Sequence, residues 1–422
     1  MNSQCSIVNH VWEIAQQAKL ASQQLATLNG KLRQKAIQTM AVQLESIREE
    51  LNEANKLDVE DAIRKGMADP LVKRLRIDDK VFQYMLSRLE KVSLLPDPLG
   101  KVLEGHTQPD GLVVQKITVP LGVIGIIYES RPNVTTDAAS VCLKSGNAVI
   151  LRGGSESLRT NTVLTHAMQK ACQNSGLPEN VIQIIRMPGH AAVDELLKMD
   201  DYVDVLIPRG GKPLIQEIAQ GTNISVIKHY EGLCHLYIAE DADKEMAVQL
   251  AINSKCQRVE VCNALETLLI DGKIASQMLP MIVNAFEAQH VELRGCSSCC
   301  KLIPDMQKAD ENDWSTEYLA PILSVKIIDG VQHAIQHINQ YGSGHTDTIV
   351  TQSMDRARTF VNGVDSASVL VNASTRLSGG GDYGMGAVVG ISTDKIHARG
   401  PVGPNDLTSY KWIVYGDGHL RK

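Results

Sequence analysis

Gly122-Val-Ile-Gly-Ile-Ile-Tyr128 is an apolar run, followed by a small-residue helix expected over Thr135 to Leu143 and a second run, Ala148-Val-Ile-Leu151, that ends at Arg152-Gly153-Gly154. Runs this short and this uniformly apolar read as strands buried on both faces, which is the signature of a parallel sheet. The pattern continues. A helix is expected over Ser157 to Cys172, stopped by Gly176-Leu177-Pro178, and strands over Val181 to Ile185, Asp204 to Ile207 and Ile224 to Ile227. Buried strands alternating with helices make an α/β protein with a doubly wound parallel sheet, whose ligands sit beyond the carboxyl ends of the strands. Arg152-Gly153-Gly154 and Arg209-Gly210-Gly211 stand at two such ends. There glycines let backbone N–H groups approach a phosphate and arginine offers it a bidentate partner, although a turn after a strand uses glycine anyway. The G-x-G-x-x-G fingerprint is absent after the first strand, so the ordinary dinucleotide site is not expected.

Upstream, Val11 to Leu95 reads as helices. Ile37, Met40, Ala41, Leu44, Ile47 and Leu51 recur at helical steps, and a later helix starts at Asp78 or Asp79 and stops before Pro96 and Pro98. A turn at Pro109-Asp110-Gly111 opens a strand over Leu112 to Val119, which is either an ordinary edge hairpin or a strand that pairs with another subunit. Downstream from Glu231 a second α/β unit is expected: a strand over His235 to Ala239, a helix over Asp243 to Ser254, strands over Leu265 to Ile270 and Val325 to Ile328, and a helix over Val331 to Asn339. A glycine-rich tail follows.

With 422 residues, 43% of them apolar, the chain has material for two or more domains. Its 42 basic and 48 acidic residues are interspersed, which argues against nucleic acid or an anionic membrane as partner and for small-molecule chemistry. No signal peptide is read in the first residues, and no apolar run is long enough to span a bilayer. Nine cysteines, an odd number and mostly scattered, fit reduced thiols in a cytoplasmic enzyme. Cys296-Ser-Ser-Cys299-Cys300 lacks the ligand set of a zinc site and is expected in an exposed loop, so no metal is expected. Within Val261-Cys262-Asn263-Ala264, Cys262 sits in a small-residue turn ahead of an apolar run and is the candidate nucleophile, because a thiolate both attacks a carbonyl and leaves it well.

Laid end to end, Tyr128-Glu-Ser-Arg-Pro-Asn133-Val-Thr135, Ile207-Pro-Arg-Gly-Gly-Lys212, Glu231-Gly-Leu-Cys-His235, Cys262-Asn-Ala-Leu-Glu-Thr267, Ala373-Ser-Thr-Arg376 and His397-Ala-Arg-Gly-Pro-Val-Gly403 resemble the aldehyde dehydrogenase superfamily. Within it they are most similar to the gamma-glutamyl phosphate reductase (glutamate-5-semialdehyde dehydrogenase) family. The resemblance implies an aldehyde dehydrogenase-like fold: a cofactor domain from 1–105 and 121–230, a catalytic domain from 231–403, and oligomerisation segments at 106–120 and 404–422. It places Cys262 as nucleophile, Asn133 as the oxyanion-holding amide and Glu317 on the nicotinamide ribose. Arg152 falls where a lysine usually reaches the adenosine ribose. Ser155 replaces a glutamate of the NAD-dependent members, which leaves room for a 2′-phosphate and implies NADPH; Arg209, Gly210 and Gly211 complete the expected cofactor set.

Hydrolytic members keep a water-activating glutamate about where this chain has His229-Tyr230. Its lack fits transfer to phosphate instead of water. The resemblance therefore implies NADPH-dependent reduction of L-glutamyl 5-phosphate to L-glutamate 5-semialdehyde through a cysteine thioester, the second step of proline biosynthesis. It also implies a homo-oligomer, dimer or tetramer, and an acyl phosphate supplied by a separate glutamate 5-kinase, with functional association a further expectation. A non-phosphorylating aldehyde dehydrogenase is the alternative enzyme, and a catalytically silent protein of the same fold the alternative of another kind. Arg131 and Arg399 are equally anion partners or structural arginines.

Overall fold

The computed structural model describes residues 2–421. The chain forms two compact units, one built from the residues up to Lys228 together with Gly384–Ile391 and the residues from Pro401 on, the other from His229–Tyr383 and Ser392–Gly400.

In the first unit the strands Ile182–Ile184, Ala148–Gly153, Val123–Tyr128, Val205–Arg209 and Ser225–Val226 lie side by side in that order, all parallel. The chain starts at the central strand, winds outward to one side and returns to the other, so the direction of winding switches between Val123–Tyr128 and Val205–Arg209. Both faces are covered. Val11, Ile14, Ala15 and Ala18 of the helix Asn2–Leu25 pack on Val123, Ile127, Ala148 and Ile150, which is why those strands carry no polar alternation. Asp204 fastens the start of the central strand by accepting from the Val123 N–H at 2.7 Å and from Lys19 Nζ at 2.9 Å. Gly122 beside it has φ +132°, and any Cβ there would overlap the Asp204 carboxylate.

Two local expectations change. The helical periodicity of Ile37 to Leu51 runs through Ile47, yet the chain breaks there into helices Gly30–Ser46 and Arg48–Arg64, because Ile47 takes φ −103°, ψ 15° and turns its N–H back to Gln43. The strand expected at Leu112 to Val119 is Val113–Pro120, and it is no edge. It pairs antiparallel with Val102–Thr107 on one side and with Thr408–Tyr415 on the other, the middle of a three-stranded sheet within one chain. Val102–Thr107 carries Glu104, Gly105 and His106 and stays exposed throughout, so it has no apolar period to read.

The second unit holds a seven-stranded sheet in the order Gln307–Lys308, Glu292–Gly295, Ile322–Ile328, Leu265–Asp271, Cys234–Ile238, Thr346–Val350 and Ser368–Val371, again parallel throughout. Side chains alternate between two cores as the period of a strand requires. Leu236, Ile238, Leu268 and Ile270 face Met278, Leu279 and Ile282 of the helix Ala275–Glu287. Tyr237 and Leu269 face Ala334, Ile335 and Ile338 of the helix Gly330–Tyr341. The Cys296 cluster departs from the exposed loop expected of it: Ser297–Leu302 is a short helix, Cys299 is fully buried, and its Sγ lies 3.5 Å from that of Cys296. No helix among the described residues is long and apolar enough to cross a membrane.

Candidate active site

Four neighbouring strands of the second unit, Ile322–Ile328, Leu265–Asp271, Cys234–Ile238 and Thr346–Val350, point the same way. Just ahead of their amino ends lie Glu317, Cys262, Gly232 and His345 respectively. Residues far apart in the chain are gathered because parallel strands begin at one edge of a sheet.

Cys262 is half-buried in the turn between the helix Lys244–Cys256 and the strand Leu265–Asp271. Its surroundings are unusually constrained. Gly232 packs so closely that a Cβ built on it would overlap the Cys262 carbonyl, and the Gly232 N–H donates to Glu317 Oε1 at 2.9 Å. On the other side Asn263 Nδ2 donates to the Ser378 carbonyl at 3.0 Å, Thr375 Oγ1 donates to the Asn263 carbonyl at 2.8 Å, and Arg376 Nη1 reaches Asn263 Oδ1. The Ala373-Ser-Thr-Arg376 motif thus grips the residue next to Cys262. Burial holds the Arg376 guanidinium below its ordinary pKa and Arg258 adds to this, while the charge of Cys262 pulls the other way. The same attraction favours a thiolate at Cys262.

Beneath this turn Lys255 Nζ and Glu266 Oε2 meet at 2.7 Å with their side chains 0% and 1% exposed. One ends the helix before the turn and the other begins the strand after it, so the pair ties both ends of the Cys262 turn. Burial pushes the Glu266 carboxyl up and the Lys255 ammonium down, each opposed by the other's charge, and the Leu319 backbone also hydrogen-bonds Glu266. That last contact joins the Cys262 turn to the segment carrying Glu317.

Two histidines complete the cluster. A ring nitrogen from each of His229 and His345 lies with Cys262 Sγ inside a common 4.8 Å. His345 is buried, and burial drives its pKa down to about 4, partly offset by the Asp347 and Glu317 carboxylates. It is neutral at physiological pH. Cys234, a second thiol beside the site, donates from Sγ to the Cys262 carbonyl at 3.3 Å, and burial raises it well above the thiol range. It stays protonated and inert.

In the first unit the expected cofactor residues cluster at the carboxyl ends of the sheet. Arg152 is 7% exposed, its Nη2 donates to the Gly189 carbonyl at 2.9 Å, its Nη1 meets the Gly153 carbonyl, and its Nε is buried without a hydrogen-bond partner. Ser155 is exposed one turn ahead of the helix Leu158–Asn174. The charge that Ser155 lacks stands one residue further on. Glu156 Oε1 accepts from the Ser130 N–H at 2.7 Å and from Ser130 Oγ at 2.8 Å, which turns the carboxylate to the end of the central strand. At the winding switch, Gly211 opens the helix Lys212–Gln220 and its N–H donates to Glu129 Oε2 at 3.1 Å. An anion is therefore already drawn to that helix terminus, supplied by the protein itself. Asn133 begins the helix Asn133–Lys144, half-buried, after a left-handed Ser130 at φ 39°.

Comparison with known proteins decides the family. The aldehyde dehydrogenase family model matches residues 4–294 and 303–385. A gamma-glutamyl phosphate reductase of Thermotoga maritima is 41% identical, with 98% of this chain and 100% of that one covered and a TM-score of 0.95. The chain belongs to the gamma-glutamyl phosphate reductase family of aldehyde dehydrogenases. The gamma-glutamyl phosphate reductase of Saccharomyces cerevisiae is 31% identical over 98% of each chain, with a TM-score of 0.55. An acetylating aldehyde dehydrogenase of Geobacillus thermoglucosidasius, 20% identical over 99% of each chain with a TM-score of 0.71, shares the fold.

Within this family member, sequence reasoning passed over Arg376, His345 and the Lys255–Glu266 pair as site residues. Arg376 and Glu266 were legible only as members of motifs, His345 stands outside every motif, and Lys255 at the end of a helix reads as surface charge. Arg399 is tied to Asp365, with Nη2 on Oδ1 at 2.9 Å and on the Asp365 carbonyl, while its Nε is buried without a hydrogen-bond partner. Gly232 gives a direct test of the packing. Gly232→Ala is expected to lower kcat by more than about 10-fold, since a misplacement of about 1 Å can cost ~100-fold, while circular dichroism stays that of the wild type. Steady-state kinetics showing unchanged kcat would mean that the Cys262 backbone does not depend on this contact.

Proposed function

We propose that this chain uses NADPH to reduce L-glutamyl 5-phosphate to L-glutamate 5-semialdehyde with release of phosphate, the second step of proline biosynthesis. The observation that carries this reading is the 41% identity over essentially the whole of both chains with a gamma-glutamyl phosphate reductase. The arrangement around Cys262 supports it.

The Cys262 thiol gives its proton to a ring nitrogen of His229, the less buried of the two clustered histidines, and the thiolate is favoured by Arg376. Sγ attacks the C5 carbonyl carbon. The oxygen takes negative charge, and by family resemblance the Asn133 side-chain amide donates to it, a contribution of about 3 kcal/mol for one such donor. Collapse expels phosphate and leaves a thioester on Cys262. NADPH, when bound, supplies the hydride that converts the thioester to the aldehyde level. The Cys262 thiolate then leaves and the semialdehyde is released.

The residues at the first unit's strand ends fit such a cofactor: the buried, unpartnered Arg152 Nε is a donor in want of an anion. Arg152 and Ser155 would hold the adenosine ribose and its 2′-phosphate, the Arg209-Gly210-Gly211 turn the remaining phosphates in place of the Glu129 carboxylate that now accepts from the Gly211 N–H, and Glu317 the nicotinamide ribose. The Glu317 carboxylate accepts from the Gly232 N–H beside the Cys262 turn. Self-association is part of the reading. Thr408–Tyr415 presents Tyr410, Trp412 and Val414 exposed at one free edge of the three-stranded sheet, which suits pairing with a second copy. The substrate would reach the enzyme from a separate kinase in the cytoplasm.

The reverse reaction tests the assignment. With semialdehyde and NADP, NADPH absorbance is expected to rise at steady state only when inorganic phosphate is added, with saturable phosphate dependence. Full turnover without phosphate would replace this reading by a hydrolytic aldehyde dehydrogenase.

A further inference from the structure

The chemistry proposed above uses Cys262 and one histidine, but the geometry gathers three donors. His229 lies in the segment leading to Cys234–Ile238, Cys262 before Leu265–Asp271, and His345 immediately before Thr346–Val350. One ligand atom from each stands within 4.8 Å of the others. The rings of His229 and His345 meet edge to face with centroids 5.6 Å apart. His345 Nδ1 is 2.8 Å from Thr346 Oγ1 and 3.8 Å from Cys234 Sγ, whereas its Nε2 is buried with no hydrogen-bond partner. An orphaned polar atom on a buried ring costs free energy unless something binds it.

The charges around the trio are mixed. The Asp347 and Glu317 carboxylates bear on His345 and attract a cation, while Arg376 lies near Cys262 and opposes one. Arg376 is itself committed to Gln257 Oε1, at 2.9 Å, and to Asn263.

We propose that His229, Cys262 and His345 form a zinc(II) site, with one ring nitrogen from each histidine and the Cys262 thiolate as ligands and a fourth position open to water. A thiolate with two imidazoles is a donor set suited to zinc and unsuited to magnesium or calcium. Zn–N bonds of ~2.0–2.1 Å and a Zn–S bond of ~2.3 Å put tetrahedral donors about 3.5 Å apart. Side-chain rotation closing gaps of about 1 Å would form the site. The Cys262 thiol loses its proton to solvent as the Zn–S bond forms, with no change of oxidation state. Occupancy masks the nucleophile, and this last clause rests on the function proposed above; zinc binding itself does not.

Cobalt(II) titration of the full-length chain reads the site directly, because a thiolate ligand gives an intense near-ultraviolet charge-transfer band that free imidazole sites lack. One equivalent is expected to bind, to be displaced by zinc, and to lose the band in Cys262→Ser. His345→Gln and His229→Gln are each expected to weaken binding more than about 100-fold, beyond the ~10–100-fold typical of losing an outer partner. His229 is half-buried, so its variant tests the proposal even where His345→Gln fails to fold. A band that survives in Cys262→Ser, or histidine variants that bind within about 10-fold of wild type, would overturn the site. Reversible loss of turnover with zinc, restored by a chelator, supports masking; zinc binding at the trio with full activity would overturn masking and the nucleophile assignment while leaving the metal site standing.

Discussion

Cys262→Ala is expected to lower kcat for phosphate-dependent oxidation of glutamate 5-semialdehyde by at least about 10⁴-fold, as loss of a covalent nucleophile does. The reason is that the thiol in contact with it cannot take its place. Cys234 is the nearest described thiol by contact, yet it is fully buried, its proton is held well above the usual thiol range and its Sγ is spent on the Cys262 carbonyl. A single-turnover experiment separates this from a packing effect. Without phosphate, wild-type enzyme mixed with semialdehyde and NADP is expected to give a burst of about one NADPH per chain as the thioester accumulates. Mass spectrometry of the denatured protein is expected to place the acyl group on the peptide containing Cys262. The variant is expected to show neither. An undiminished burst in Cys262→Ala would assign the chemistry to another thiol.

Glu266→Leu is expected to destabilise the second unit by about 3–5 kcal/mol, because it leaves the Lys255 ammonium buried without its counter-charge. Lys255→Met is expected to cost a similar amount. The size follows from burial. Lys198–Glu195, at the same kind of distance but with the lysine side chain 63% exposed, is worth about 0–1 kcal/mol and its loss should be hard to measure. Lys255 and Glu266 have side chains 0% and 1% exposed, so each stays compensated only while the other remains. The double variant Lys255→Met/Glu266→Leu is therefore expected to recover most of the stability. Urea denaturation followed by a probe in residues 229–383 measures this. Single variants costing less than about 1 kcal/mol would mean that water reaches the pair. Because the pair ties both ends of the Cys262 turn, the double variant is also expected to keep a lowered kcat even where stability returns.

Much of the site was legible in the residues themselves. Cys262 shows as a thiol in a small-residue turn before an apolar strand, and the Ala373-Ser-Thr-Arg376 stretch shows as a motif, although only the folded chain reveals that it clamps Asn263. Other features had no local signal. The strand Val102–Thr107 is exposed at every position and has no apolar face to betray it. Thr346–Val350 hides behind polar Thr346, Asp347 and Thr348, each buried with a partner of its own: Thr346 Oγ1 donates to Ser378 Oγ and Thr348 Oγ1 to the Ala373 carbonyl, both at 2.8 Å, and Asp347 accepts from the His235 N–H and from His235 Nδ1, both at 2.8 Å. A polar residue paired in a core looks, in sequence, the same as one facing water.

The sequence by itself determined that this is an α/β chain with buried parallel strands and a motif set of one aldehyde dehydrogenase family, since uninterrupted apolar runs cannot remain in water and must be covered on both faces. Tertiary structure alone decided that Glu317, Cys262, Gly232 and His345 would meet. Strand order in a parallel sheet is set by how crossover helices pack over its two faces, a property of the whole unit. Here that order places four strand beginnings, drawn from positions spread between Gly232 and Thr346, side by side at one edge of the sheet.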